Sequence, residues 1–291
     1  MEGVMMRGPE RYAVAVRKPD GEIVVKSEPF LSITKKIKVL GWPFLRGGVV
    51  LIESLILGMR ALTFSGDMAI EEEAEKKSRG FLPGVWMVLT MIFAFIMGLV
   101  LFFYAPLLLT ELLGAKSGFV FNLVDGIIRL CIFVIYIYVI SRWKEIRRVF
   151  EYHGAEHKSI FAYENRDELI PASAASYQTQ HPRCGTSFLF IVILTSIVVF
   201  MFLGRPETIA DRLIRFAFIP VIGGLSYELI KLSDRGYEKK FFRLFLLPGL
   251  WLQKITTQEP DESQLEVAMV ALKSALGMDP HVGPSKIDIL S

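Results

Sequence analysis

Charged residues are missing from two long stretches of this 291-residue chain, residues 80–110 and residues 186–204. A helix crosses the hydrocarbon core of a bilayer with about 20 apolar residues, so each stretch is long enough to span a membrane. This distribution excludes an ordinary soluble enzyme, a fibrous chain and a disordered chain.

Cysteine is also scarce, since the chain has only Cys131 and Cys184. No disulfide framework is therefore expected. The net charge of +3 is too small to predict a nucleic-acid partner, and the sequence has no basic stripe interleaved with aromatic residues. Residues 1–30 lack a long apolar core, so we expect no cleavable signal peptide and insertion through internal hydrophobic helices.

The sequence predicts four membrane-spanning helices. They are expected at residues 85–108, 123–140, 187–203 and 213–230. A further apolar segment carries Arg46, Glu53 and Arg60 at seven-residue spacing, which places three charges on one helix face. This pattern favours an amphipathic helix that lies in the membrane interface.

The two ends of the chain are predicted not to cross the membrane. Short valine-rich runs on both sides of Pro19-Asp20-Gly21 predict a β-hairpin over residues 11–27. Residues 241–252 are interrupted by Pro248-Gly249 and are too short to span, and one amphipathic helix is expected at 265–276. The predicted fold class is an all-α integral membrane protein with about four transmembrane helices, interfacial amphipathic helices and a small N-terminal β-hairpin.

This organisation divides the chain into six segments. They are an N-terminal β-hairpin segment (1–34), interfacial and cytoplasmic helices (35–80), a first transmembrane hairpin (81–141), a cytoplasmic His/Cys loop (142–186), a second transmembrane hairpin (187–231), and an interfacial helix with a cytoplasmic tail (232–291). Basic residues cluster before the first span and after the second and fourth spans. Because cytoplasmic loops carry an excess of positive charge, both termini and residues 142–186 are expected in the cytoplasm.

Three of the four histidines fall within residues 142–186. On a helix, His153, Glu156 and His157 stand at i, i+3 and i+4 and therefore project from one face. The H-x-x-E-H spacing is that of inverted zincins, in which both histidines bind Zn²⁺ and the glutamate takes a proton from water. The pattern predicts His153 and His157 as ligands of zinc or another divalent metal, and Glu156 as the general base of a hydrolase.

A third ligand is expected from His181 or Cys184. If all four side chains bind, the site is closed and structural, whereas three ligands leave a position open for chemistry. Glu228, at the end of the fourth predicted span, is a further candidate ligand. Without a metal, the same side chains would form a hydrogen-bonded network.

Two other functions are compatible with the sequence. A non-enzymatic oligomeric scaffold or assembly factor would use the His/Cys cluster as a structural staple. A transporter or channel would use Asp125 and Arg129, which share a helix face, although an internal salt bridge explains that pair more simply. The expected partners are membrane lipid and either further copies of the chain or other membrane proteins, with no nucleic acid.

Four motifs, in order, resemble the YqhQ-like family of bacterial membrane proteins. They are MEGVMMRGP at the start of the chain, FEYHGAEHK at 150–158, HPRCGTSF at 181–188 and SYELIK at 226–231. The resemblance covers nearly the whole chain and implies a multi-pass protein of the bacterial cytoplasmic membrane, in a family of unknown function described as predicted metal-dependent enzymes. It places His153, Glu156, His157, His181 and Cys184 at hallmark positions. The chain departs from the family at Arg166, where a glycine is usual.

Overall fold

The computed structural model describes residues 2–43, 45–74, 81–235 and 240–290. The strands are β1 (Gly3–Arg7), β2 (Arg11–Arg17), β3 (Ile23–Pro29) and β4 (Ile287–Leu290). The first helices are α1 (Ile33–Lys36), α2 (Leu45–Ala74), α3 (Phe81–Leu99), α4 (Ala105–Leu112) and α5 (Gly118–Ile140). They are followed by α6 (Lys144–Glu164), α7 (Pro171–Ala175), α8 (Gly185–Phe202), α9 (Ile209–Ala217), α10 (Ile219–Arg235), α11 (Lys240–Thr256) and α12 (Glu262–Leu276). A 3₁₀ turn occupies Lys38–Gly41, and a π-helical segment, Val100–Tyr104, joins α3 to α4.

The predicted β-hairpin is confirmed, and it forms the middle of a larger sheet. β2 and β3 pair antiparallel, and the turn between them contains Gly21 with φ of 91°, a conformation that costs glycine little. β1 pairs antiparallel with β2, while β4 pairs parallel with β3, so the strand order is β1-β2-β3-β4. The sheet therefore joins the two ends of the chain.

Helix α12 is the centre of the core beside this sheet. A capping box of Asp261 and Gln264 begins the helix, and Gly277, with φ of 74°, ends it. The sequence predicts an amphipathic helix here, but the structure buries it on nearly all sides. The physical reason is that α12 packs between the sheet on one side and α6 and α7 on the other.

Helix α2 lies against the opposite face of the sheet. Its Leu57 is 1% exposed and packs with Tyr12, Val14 and Val16 of β2. The carboxylate of Glu53 is buried and accepts hydrogen bonds from the Ser32 hydroxyl at 3.0 Å and from the backbone N–H of Ile33 at 2.6 Å. This charge is therefore held by the segment that precedes α2.

The first turns of α2 pack on α10. The guanidinium of Arg46 forms an ion pair with Glu228, and a Cβ at Gly47 would lie 2.9 Å from the Cα of Gly224. Small residues thus let the two backbones approach closely. Glu228, a candidate ligand in the sequence, has its carboxylate engaged by Arg46.

Within the described part of the chain, five helical segments are long and apolar enough to cross a membrane, which is typical of a membrane protein. They are Leu45–Met68, Leu89–Leu112, Gly118–Ile140, Gly185–Phe202 and Ile209–Leu232. Four correspond to the predicted spans, and the fifth belongs to α2. Sequence analysis assigns that segment to the interface because of its charges, although its length and mean hydropathy of 1.6 would also permit a span.

We predict that Met269→Ala destabilises the domain that α12 builds. Met269 is fully buried, and truncating such a side chain costs about 2–5 kcal/mol of the free energy of unfolding. Met278 is 51% exposed, so Met278→Ala is a matched control that should leave stability unchanged. The measurement is the thermal unfolding midpoint of each detergent-solubilised variant. Equal midpoints for the two variants would contradict the central position of α12.

Candidate metal centre

Two helices bring the predicted site residues together. Helix α6 carries His153, Glu156 and His157, and Cys184 is the N-cap residue of α8, where its sulfur accepts a hydrogen bond from the Thr186 N–H at 3.4 Å. The sulfur of Cys184 lies 3.2 Å from Nε2 of His153. One ligand atom from each of His153, His157 and Cys184 lies within 4.8 Å of the other two.

Backbone carbonyls fix the orientation of both histidines in this cluster. Nδ1 of His153 donates to the carbonyl oxygen of Thr256 at 2.9 Å, and Nδ1 of His157 donates to the carbonyl oxygen of Thr179. Because a carbonyl only accepts, the proton of each neutral ring stays on Nδ1 and the lone pair of Nε2 remains available. Metal-binding histidines are oriented in this way by their outer hydrogen bonds.

The electrostatics of the cluster favour a thiolate. Burial would raise the pKa of the Cys184 thiol, but hydrogen bonds from His153 and His157, together with their positive charge, lower that pKa to about 5. Burial would lower the pKa of His153, but its hydrogen bond with Cys184 and the charges of Cys184 and Glu156 raise it to about 9. The pair therefore holds opposite charges near neutral pH. The thiolate is the form of cysteine that binds metals, whereas His153 would have to release its Nε2 proton for a metal to bind there.

Glu156 lies next to the same three side chains. Burial has the largest effect on its carboxyl group and raises the pKa. The negative charge of Cys184 also raises this pKa, whereas the positive charges of His153 and His157 lower it. Among the described residues, no side chain or backbone group donates a hydrogen bond to the Glu156 carboxylate. It is thus an unpaired acid beside the ligand atoms.

His181 lies beside the cluster but has other partners. Its Nε2 is 3.2 Å from Oε2 of Glu164, its Nδ1 accepts from the backbone N–H of Arg183, and burial lowers the pKa of its ring. The side chain of Gln253 accepts from the His181 N–H at 2.7 Å and donates to the His181 carbonyl at 2.9 Å and to Ser187 Oγ at 2.8 Å. Of the two candidates for a third ligand, the structure brings Cys184 to the two histidines.

The end of α11 is the part of the site that sequence reasoning missed. Besides Thr256 and Gln253, it brings the backbone of Gln258 against α6, whose Phe150 carbonyl accepts from the Gln258 N–H at 2.9 Å. A Cβ at Gly154 would lie 2.1 Å from the Gln258 carbonyl oxygen, so only glycine permits this approach. A glycine beside His153 in an otherwise regular helix was the available signal.

The donor set and its spacing fit a zinc ion. Zinc takes imidazole nitrogen and thiolate sulfur at about 2.0–2.3 Å in tetrahedral geometry, which places neighbouring ligand atoms about 3.5 Å apart. The distance of 3.2 Å between Cys184 and His153 is close to that value. Three such ligands leave one tetrahedral position open, and the unpaired carboxylate of Glu156 lies beside the ligands.

Comparison with known proteins identifies relatives whose function is not established. A family profile described as "Protein of unknown function (DUF1385)" matches residues 42–278. The "Uncharacterized protein YqhQ" of Bacillus subtilis (strain 168) is 33% identical over 297 residues, which cover 96% of this chain and 91% of that protein. No solved structure matches the chain.

We predict that Gly154→Ala disturbs this site, whereas Gly185→Ala does not. The new methyl group at 154 would collide with the Gln258 backbone, and overpacking of this kind costs about 1–3 kcal/mol. A Cβ at Gly185 would meet nothing within 4 Å, although the residue is next to Cys184. Thermal unfolding should show a midpoint about 3–10 °C lower for Gly154→Ala alone. Similar midpoints would mean that α11 does not dock on α6 as described.

Proposed function

This chain belongs to the DUF1385 family, and we propose that it is a membrane-embedded, metal-dependent hydrolase with a zinc site on the cytoplasmic side. One observation carries the proposal: His153, His157 and Cys184 converge, and both histidines turn Nδ1 away to backbone carbonyls. Hydrogen bonds from both imidazoles to the Cys184 sulfur would also bring these atoms together, so binding of a metal is the property that the experiment must establish.

The residues of the site would have three different roles. His153, His157 and Cys184 would hold the ion, and a bound zinc would supply activation of water and polarisation of a carbonyl or phosphoryl oxygen. Glu156 would accept the proton of the attacking water and return it to the leaving group, since its carboxylate has no other hydrogen-bond partner among the described residues. His181 would position the segment that carries Cys184, through its contacts with Gln253 and Glu164.

A structural role is the second candidate, and a specific observation favours it. The ligands and their carbonyl partners belong to α6, to residues 179–184 before α8, and to the end of α11. A metal held there would fasten the core around α12 to two apolar helices. This is the arrangement expected of a scaffold or assembly factor whose cluster is a staple.

We also propose four membrane crossings, with both ends of the chain in the cytoplasm. β4 pairs with β3, and α12 contacts both α6 and the sheet, so these elements lie on one side of the membrane. The chain leaves that side after β3 and returns at α6, then leaves at α8 and returns before α12. Each excursion therefore crosses an even number of times. Because Leu57, Phe64 and Met68 of α2 pack on the sheet, α2 is the candidate that we place in the interface.

We predict about one zinc per chain in untagged protein purified in detergent. His157→Ala and Cys184→Ala should each lose most of it, because removing one of three protein ligands leaves too few for tight binding. His281→Ala is the matched control, since that side chain is 62% exposed and bonds with Asp279. The measurement is elemental analysis by mass spectrometry. Absence of metal from the wild type, or equal loss in the His281 variant, would contradict the site.

The variant Glu156→Gln distinguishes the catalytic role from the structural role. The amide keeps the size of the side chain but cannot accept the proton, so the variant should keep its zinc and its unfolding midpoint. If the site is catalytic, the variant fails to restore the phenotype of a bacterial strain that lacks the gene, whereas a staple would leave complementation intact. His157→Ala should fail to complement in either case.

We predict that the loop between α4 and α5 is extracytoplasmic and that the end of α12 is cytoplasmic. In intact cells, a membrane-impermeant maleimide should label Lys116→Cys and spare Met278→Cys until the cells are lysed. Both positions are exposed, and the unmodified chain controls for labelling of Cys131 and Cys184. Labelling of both variants, or of Met278→Cys alone, in intact cells would exclude the proposed topology.

A further inference from the structure

A cavity lined by three arginines lies among the candidate spans. Its volume is about 320 Å³, and the described residues that line it include Arg129, Arg212 and Arg215 but no carboxylate. Arg129 lies in α5, and Arg212 and Arg215 lie in α9. Phe200, near the end of α8, lines the cavity, whereas Cys184 caps the start of the same helix. The cavity therefore lies at the end of α8 that is far from the candidate metal centre.

Some N–H donors of the buried arginines have no acceptor among the described residues. Arg215 is 5% exposed, and its NH2 donates at 2.7 Å both to Asn122 Oδ1 and to the Gly204 carbonyl. NH1 of Arg215 and Nε of Arg129 have no partner among the described residues. Oδ1 of Asp125, in the same ion pair as Arg129, is unsatisfied as well, so Nε of Arg129 has a candidate acceptor within that pair. An unsatisfied N–H group of a cation is costly in an apolar region, so NH1 of Arg215 is the atom that points to a missing acceptor.

Positively charged side chains also outnumber carboxylates in this region. Arg129 donates from NH2 to Asp125 Oδ2 at 2.8 Å, which confirms the predicted internal salt bridge and neutralises that arginine. Arg215 bonds to neutral groups, and Arg212 reaches the same cavity. Asp125 and Asp211 also attract Arg215, so three arginines meet two carboxylates and the region keeps an excess of one positive charge.

Aromatic rings shape the space around these guanidinium groups. Arg129 lies 5.0 Å from the ring centre of Phe103, and Arg215 lies 4.9 Å from that of Phe200. Phe103 belongs to the π-helical segment Val100–Tyr104, and such distortions occur frequently at functional sites. The same two rings and Arg129 also line a second, largely apolar cavity of about 400 Å³. Cationic groups and a long apolar surface are thus adjacent.

We propose that this pair of cavities binds an anionic lipid. Its phosphate would accept hydrogen bonds from Arg212 and Arg215, and its acyl chain would lie along the apolar walls beside Phe103 and Phe200. A lipid fits better than a soluble anion because the walls include Ile96 and Tyr104, which are 51% and 55% exposed on the apolar surface of the helices. The unbalanced positive charge selects an anionic head group.

Native mass spectrometry of the full chain in detergent tests this site with phosphatidylglycerol as the probe. Phosphatidylcholine, which carries no net charge, and inorganic phosphate are the comparison ligands. We expect phosphatidylglycerol to bind at least about tenfold more tightly than phosphatidylcholine, and Arg212→Gln to weaken it about tenfold, as loss of a charge-assisted hydrogen bond would. Arg212 is exposed, so this variant should fold normally.

Arg205→Gln is the matched control, because Arg205 lies at the same end of the helices, over Phe121, and lines neither cavity. It should bind phosphatidylglycerol like the wild type. Equal affinity for the two lipids, or equal weakening by Arg205→Gln and Arg212→Gln, would overturn the proposal. Binding of inorganic phosphate with the affinity of phosphatidylglycerol would also overturn it, because the site would then recognise a soluble anion.

Discussion

The contact between the two ends of the chain is the constraint on which the rest of the structure depends. β4 hydrogen-bonds to β3, and α12 fills the space between the sheet and α6. All apolar helices must therefore leave from and return to one domain. The His/Cys cluster forms at this junction, where α6, the start of α8 and the end of α11 meet. Its geometry is set by the domain as much as by the histidines themselves.

Patterns within short stretches of sequence predicted the features that depend only on neighbouring residues. The i, i+4 spacing of His153 and His157 placed both rings on one face of a helix, and the turn at Pro19-Asp20-Gly21 located the hairpin. Arg166 is a related case. Its φ of 61° is costly for a residue with a side chain, and the glycine that the family resemblance leads one to expect there would adopt it at less cost.

What the sequence did not reveal depends on contacts between distant segments. The carbonyl of Thr256 and the side chain of Gln253 enter the site from α11, and no local spacing relates them to α6. For the same reason, the charges of α2 alone do not reveal where this helix packs. Arg46 finds Glu228 on another helix, and Glu53 finds Ser32 and its neighbour, so both charges have partners that the pattern of α2 does not contain.

The position of α12 also determines the order in which the protein is completed during synthesis. The sheet needs a hydrophobic partner, but α12 and β4 leave the ribosome after all the apolar helices. The N-terminal hairpin must therefore wait, with the face that α12 later covers still exposed, while every apolar helix is inserted. Such long-range pairing is slow and open to aggregation. Completion of the domain around α12 is thus a late event in the synthesis of this chain.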